Sequence, residues 1–167
     1  MTSPFVAILM GSDSDLPVMQ ATINILKQFE ITHEVRVRSA HRTPDAAKAY
    51  VKDAEERGCK VFICAAGLAA HLAGAVAGMT TRPVIGVPVD NGPLQGHDAL
   101  LSTVMMPGGI PVATVAIGKA GAKNAGYLAA QILGIADQKM ADKVKAERVA
   151  NAEALLAKDE AMQAKLG

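Results

Sequence analysis

Three short segments of this 167-residue chain hold the side chains singled out for chemistry by type and spacing. They are Gly11-Ser12-Asp13-Ser14-Asp15, Ser39-Ala40-His41-Arg42-Thr43-Pro44, and the run from Ala65 to Gly74 that contains Gly67, Leu68 and His71. Histidine has an ordinary pKa of ~6.5, so it can take and return a proton near neutrality, and His41 is a candidate acid-base group. Arg42 beside it offers a planar fork suited to phosphate. In the first segment Gly11 permits a tight turn. Hydroxyls and backbone amides at a helix start there suit a phosphate or a ribose, and Asp15 suits sugar hydroxyls. In the third, small residues around His71 let backbone and ligand approach closely. They would also make a narrow, dry pocket able to retain a small volatile intermediate. His71 is placed to orient either the ligand or the first histidine.

Each segment also has a plainer explanation. Ser14 or Asp15 can simply cap a helix, His41 with Arg42 can be a surface turn, and His71 can pack at a helix start. Placement weighs against these, because the chain alternates strands with helices. Phe5 to Met10 is an unbroken apolar run too short for a typical helix, as expected of a strand covered on both faces. Leu16, Met19, Ile23, Leu26 and Phe29 then recur at helical spacing, with Pro17 tolerated in the first turn. Val35 and Val37 mark a second strand. Thr43-Pro44-Asp45 starts a second helix, with Thr as cap, Pro at the first position and an acid near the positive end of the dipole; Gly58 ends it. Val61 to Ala65 is a third strand, Ala69 to Met79 a third helix, and Val84 to Val87 a fourth strand closed by Pro88. A helix over Ala99 to Met106, a strand over Val112 to Ile117 and an alanine-rich helix from about Ala122 to Leu133 complete the alternation.

This order implies an α/β fold, a three-layer αβα sandwich around a parallel sheet of Rossmann or flavodoxin-like type. Right-handed crossovers put the strand-to-helix loops on one edge, outside the carboxyl ends of the strands, where ligands bind. All three segments are such loops. Residues 1–135 form the expected catalytic domain. Residues 136–167, rich in Ala, Lys, Glu and Gln, form a helical tail of the same unit, as one or two exposed helices. That tail packs either on its own domain or on a neighbouring subunit.

Composition narrows the function. A net charge of +1 with interspersed charges leaves no basic face for nucleic acid and no polybasic membrane patch. No apolar stretch approaches the ~20 residues that span a bilayer. Met1-Thr2-Ser3-Pro4 lacks the basic and apolar regions of a signal peptide, so the expected compartment is the cytoplasm. Cys59 and Cys64 have no second pair and indicate neither a disulfide framework nor a metal knuckle; they are expected to be buried thiols. Scarce aromatics and abundant Ala and Gly make oligomerisation a plausible supplement to a core of small side chains. No G-x-G-x-x-G, G-x-x-x-x-G-K-[ST] or G-x-S-x-G is present, which argues against dinucleotide, nucleoside triphosphatase and serine hydrolase chemistry. His33, His41, His71 and His97 show no metal-binding spacing. A phosphoacceptor signalling domain would need an acid where this chain has Ala65-Ala66-Gly67.

Taken together, GSDSD, SAHRTPD, AGLAAHLAG and the run DALLSTVMMPGGIPVATVAIGKAGAKNAGYLAAQIL, in that order, resemble the bacterial class I 5-(carboxyamino)imidazole ribonucleotide mutase family. The resemblance covers about Val6 to Leu133. It implies a step of purine biosynthesis that moves a carboxylate from an exocyclic nitrogen to a ring carbon of a ribonucleotide. No cofactor and no metal are implied, and a homo-octamer is. On the family pattern the catalytic histidine falls on His41 and the second histidine of the site on His71. Substrate-binding positions fall on Ser12, Asp15 and Arg42, and Ser39 and Gly67 complete the candidate set from the same loops. Leu68 stands where many relatives have glycine, Ala73 where proline is common, and Asp90-Asn91-Gly92-Pro93 differs from the usual loop. Leu68 is the departure placed to alter pocket shape. An aminoimidazole ribonucleotide carboxylase that uses free carbon dioxide is the alternative within the fold, and His71 within AAHLAG favours the mutase. In a third possibility, a non-catalytic nucleotide-binding or assembly protein, His41 would be dispensable.

Overall fold

A computed structural model describes residues 4–167; Met1, Thr2 and Ser3, part of the segment weighed above as a possible leader, lie outside the described residues. Strands β1 (Phe5–Met10), β2 (His33–Val37), β3 (Cys59–Gly67), β4 (Val84–Val89) and β5 (Ala113–Thr114) form one sheet. It is wholly parallel, in the order β2-β1-β3-β4-β5. The helices are α1 (Leu16–Gln28), α2 (Pro44–Glu56), α3 (Leu72–Ala77), α4 (His97–Val104), α5 (Gly118–Gly134) and α6 (Gln138–Leu166). No helix among the described residues is long and apolar enough to cross a membrane.

Alternation along the central strands sends side chains to two separate cores. Val6, Ile8 and Met10 of β1, with Val61, Ile63 and Ala65 of β3, pack under α1 and α5. Phe5, Ala7 and Leu9, with Phe62 and Cys64, pack under α2 and α3. This makes the three layers, and it explains why β1 and β3 read as continuous apolar runs. Between α1 and α5 the fit depends on small residues. A Cβ on Gly126 would lie 2.8 Å from Ile25 Cβ, and the buried Thr22 hydroxyl donates to the Ala122 carbonyl at 2.6 Å.

Several boundaries differ from expectation. Pro88 lies inside β4, opposite Ala66, and does not close the strand. β5 pairs only with Ile85 and Gly86, so at Pro88 no ladder on that side requires an N–H. The expected strand over Val112 to Ile117 accordingly shrinks to two residues, and α3 is a short helix starting after His71. Thr43 precedes α2 without capping it: its hydroxyl accepts from Ser39 N–H at 3.0 Å and donates to the Ser39 carbonyl at 3.2 Å, closing the loop instead. The tail is a single 29-residue helix, capped by Asp137, which accepts from the Lys139 and Met140 amides. Its first turns pack Met140 and Val144 on the α1–α5 core, and Tyr127 donates to Glu147 at 3.2 Å.

Because α1 and α5 meet through Gly126, Gly126→Ala should destabilise the chain by about 1–3 kcal/mol through overpacking. The thermal midpoint should fall by ~2–4 °C for each of these. Gly108→Ala, with nothing within 4 Å of the added carbon, is the matched control and should leave the midpoint in place. Equal midpoints for the two variants in calorimetry would show that the α1–α5 approach is not tight.

Candidate active site

In this strand order the chain leaves β1 toward β2 and then returns across β1 to β3, so winding reverses between β1 and β3. The loops at their carboxyl ends therefore diverge and leave a crevice. Ser12, Asp15, Ser39, His41, Arg42, Gly67 and His71 all line the cleft there, of about 580 Å³, together with Leu68 and Asn91.

After β1, residues Asp13–Asp15 form one 3-10 turn. Ser14 N–H donates to the Ser12 hydroxyl, and Ser12 N–H donates to an Asp15 oxygen at 3.1 Å, a capping box. Asp15 is thus both a cap and a wall of the cleft. It is 2 % exposed, and its second oxygen accepts from Asn91 Nδ2 at 2.8 Å. Burial pushes the Asp15 carboxyl above its ordinary range, against the lowering effects of the Ser12 amide, Asn91 and the Arg42 charge.

After β2, the turn is tied internally. The Arg42 amide donates to the Ser39 hydroxyl at 3.1 Å, and the Thr43 amide to the Ser39 carbonyl at 3.0 Å. The buried Ser39 therefore shapes the turn. Arg42 reaches back to the first loop, where Nη2 donates to the Gly11 carbonyl at 2.8 Å. One nitrogen of the guanidinium is committed to holding the two loops together, while the side chain lines the cleft.

After β3, His71 stands at the start of α3, its carbonyl accepting the Ala75 amide at 2.9 Å. Its Nδ1 lies 2.8 Å from Nε2 of His41. The rings meet edge to face, with centroids 4.9 Å apart and an interplanar angle of 83°. Of the two facing nitrogens one carries the proton and the other accepts it, so each ring sets the tautomer of the other. Two solvent-exposed imidazoles from separate loops thus stand in hydrogen-bond contact in the cleft that Asp15 and Arg42 also line, an arrangement able to pass a proton.

Two site features were not legible in the loops as singled out. Asn91, directly after β4, reaches Asp15; the carboxyl-edge rule points to that loop, but no residue in it stands out by type. Gly67 lines the cleft, and in the direction a Cβ would take it packs against Asn91 Cβ and the Val89 carbonyl, each 3.1 Å from that position. Leu68 next to it adopts φ 55°, in the left-handed region that favours glycine. Among the described residues no three His, Cys, Asp or Glu side chains are grouped to hold a metal.

Comparison with known proteins agrees with this geometry. The AIR carboxylase family pattern matches residues 5–154. A Thermotoga maritima protein named N5-carboxyaminoimidazole ribonucleotide mutase is 59% identical over 142 residues, covering 85% of this chain and 82% of that protein. A Bacillus subtilis protein of the same name is 54% identical over 145 residues, covering 87% and 90%. The crystal structure of Treponema denticola PurE superposes with a TM-score of 0.85 at 34% identity, covering 95% of this chain and 98% of that one.

If the His71 contact orders the His41 ring, His71→Ala should give His41 more than one ring orientation, seen as broadened or multiplied imidazole cross-peaks in NMR. The thermal midpoint should stay within about 2 °C, since both rings are exposed and substitutions at such positions cost little. A single sharp His41 signal in the variant would show that something else holds the ring.

Proposed function

This chain belongs to the AIR carboxylase family, and we infer that it is an N5-carboxyaminoimidazole ribonucleotide mutase of purine biosynthesis in which His41 carries the proton. The observation that supports this assignment of His41 is its 2.8 Å contact with His71 at the mouth of the β1–β3 crevice. The ribonucleotide is a small anionic ligand. In this reading its phosphate meets Arg42 and the Ser12 turn, Asp15 meets the ribose hydroxyls, and Ser39 and Gly67 shape the walls.

The chemistry needs one proton moved twice. As the bond between the exocyclic nitrogen and the carboxylate breaks, carbon dioxide leaves and His41 delivers a proton to that nitrogen. The enamine-like ring carbon then attacks the retained carbon dioxide, forming the new carbon-carbon bond. His41 takes the proton from that carbon and is restored. One group with a near-neutral ordinary pKa suits both directions. The anchored ring and captive carbon dioxide make recombination effectively intramolecular. His71 holds the His41 ring between the two proton transfers. The direct carboxylase is the outcome that an assay separates from this one.

Assembly and location belong to the same proposal. Residues 1–135 form the catalytic unit and 136–167 the tail. The outer half of α6 exposes Leu155, Leu156, Met162 and Leu166, and Leu101 and Met105 at the end of α4 are also open. Apolar area of this kind fits burial between subunits, in a homo-octamer. The two free thiols, both buried, fit a reducing compartment, the cytoplasm; burial raises Cys59 to about 11. Light scattering should return eight times the 17.3 kDa chain mass, and a monomer mass would overturn the assembly.

Supplied with the carboxyamino substrate, or with the uncarboxylated ribonucleotide plus bicarbonate, the enzyme should turn over the first much faster. Preference for the second pair would identify a direct carboxylase. His41→Asn should lower kcat by about 10²–10⁴-fold while leaving substrate affinity within a few-fold. Near-normal turnover would place the proton elsewhere. Arg42→Ala should weaken binding by roughly 10- to 100-fold, the scale of a lost charge-assisted contact; unchanged affinity would remove its phosphate role.

A further inference from the structure

The loops after β3 and β4 touch each other at Gly67, Leu68, Asn91 and Gly92. Gly67 leaves space that Asn91 fills, since a Cβ on Gly67 would stand 3.1 Å from Asn91 Cβ. Reciprocally, Gly92 leaves space for Leu68: a Cβ on Gly92 would stand 2.6 Å from Leu68 Cδ2. Leu68 reaches that place through its left-handed backbone, φ 55°. The loops after β3 and β4 are therefore interlocked, each with a glycine opposite the other's side chain. The product of the interlock is the position of the Asn91 amide, whose Nδ2 donates to Asp15 Oδ1 at 2.8 Å across 76 residues of chain.

We infer that Asn91 is a positioning residue for substrate binding: with the Ser12 amide it holds both oxygens of Asp15, fixing which lone pairs face the ribose hydroxyls. This rests on Asp15 being the ribose-binding group. The geometry favours an indirect role for three reasons. Asp15 is almost fully buried, so its carboxylate cannot turn freely to meet a ligand. Ser12 N–H occupies one oxygen and Asn91 the other, leaving one remaining acceptor direction on each to be aimed into the cleft. The partner that aims the second oxygen is itself held in place by the Leu68–Gly92 and Gly67–Asn91 packing of the two loops. Burial also works against ionisation of Asp15, and the Asn91 donor opposes that effect.

The test is a cycle of variants in the full-length enzyme, with kcat and KM measured for the carboxyamino ribonucleotide. Asn91→Ala should raise KM about ten-fold, as expected for a lost hydrogen bond to a charged group, with kcat changed by less than about two-fold. Asn91→Asp has the same shape but turns the donor into an acceptor facing a carboxylate, and should raise KM further. In an Asp15→Ala background the Asn91→Ala effect should vanish, because the group it positions is gone. Asn91→Asp behaving like the parent would mean that shape alone matters and overturn the inference. An undiminished Asn91→Ala effect without Asp15 would overturn it too, by showing that Asn91 acts on its own. If Asp15→Ala raises KM but Asn91→Ala does not, only the positioning role fails; if Asp15→Ala leaves KM unchanged, the ribose role of Asp15 itself fails, and this inference with it.

Discussion

The reversal of winding between β1 and β3 is the constraint on which the rest of this molecule depends. Parallel strands need right-handed crossovers, and crossovers that run outward from β1 and then from β3 must pass on opposite faces of the sheet. The loops at the carboxyl ends of these strands cannot pack on one another and leave a crevice. Everything with chemical capacity sits there because the topology leaves no other open edge between central strands. The histidine pair follows from it. His41 after β2 and His71 after β3 lie 30 residues apart in sequence and on either side of β1 in the sheet, yet their rings meet across its carboxyl end.

Small residues let this crevice be narrow and rigid at once. Gly126 brings α5 against Ile25 of α1, and Gly67 brings the Asn91 loop against the end of β3. Gly11 is different: its carbonyl is the anchor for the Arg42 guanidinium, so the turn after β1 and the histidine turn are joined by one hydrogen bond. The same economy of side-chain volume limits how much core one chain can build, and α6 buries no residue fully. A helix of 29 residues, about 43 Å long, reaches well beyond the sheet. The proposed assembly gives its outer half something to cover.

Much of this is legible in the sequence alone. Continuous apolar runs identify strands buried on both faces, and Thr43-Pro44 and Gly58 bracket α2 closely. The three loops were legible because glycine, histidine and arginine are conspicuous at strand ends. What escaped was set by contacts remote in sequence. Pro88 reads as a terminator until β5 is known to be too short to need its N–H. Thr43 reads as a cap until Ser39 is seen to engage its hydroxyl from both sides. Asn91 is an ordinary loop residue by type, and only the fold places it against Asp15. In each case local propensity was overridden by a partner that the linear chain does not display.

Asp15 shows how the fold and the proposed chemistry are linked. Burial makes the neutral acid the favoured form in the folded chain more than in the unfolded one, so its pKa is raised. Stability is then fullest below the unfolded pKa, falls as pH rises toward the folded pKa, and stays lower above it. When ionised, the buried Asp15 is a cost to the fold, lessened by Ser12 and Asn91 but not removed. Hydroxyl donors from a bound ribose would bond the charged form more strongly than the neutral acid, drawing the pKa back down and offsetting part of the cost of burial. Ligand binding and relief of this buried charge are then one equilibrium seen from two sides. In the proposed ribose-binding role, a carboxylate held at 2 % exposure keeps the hydrogen-bonding capacity left by Ser12 and Asn91 unspent on water.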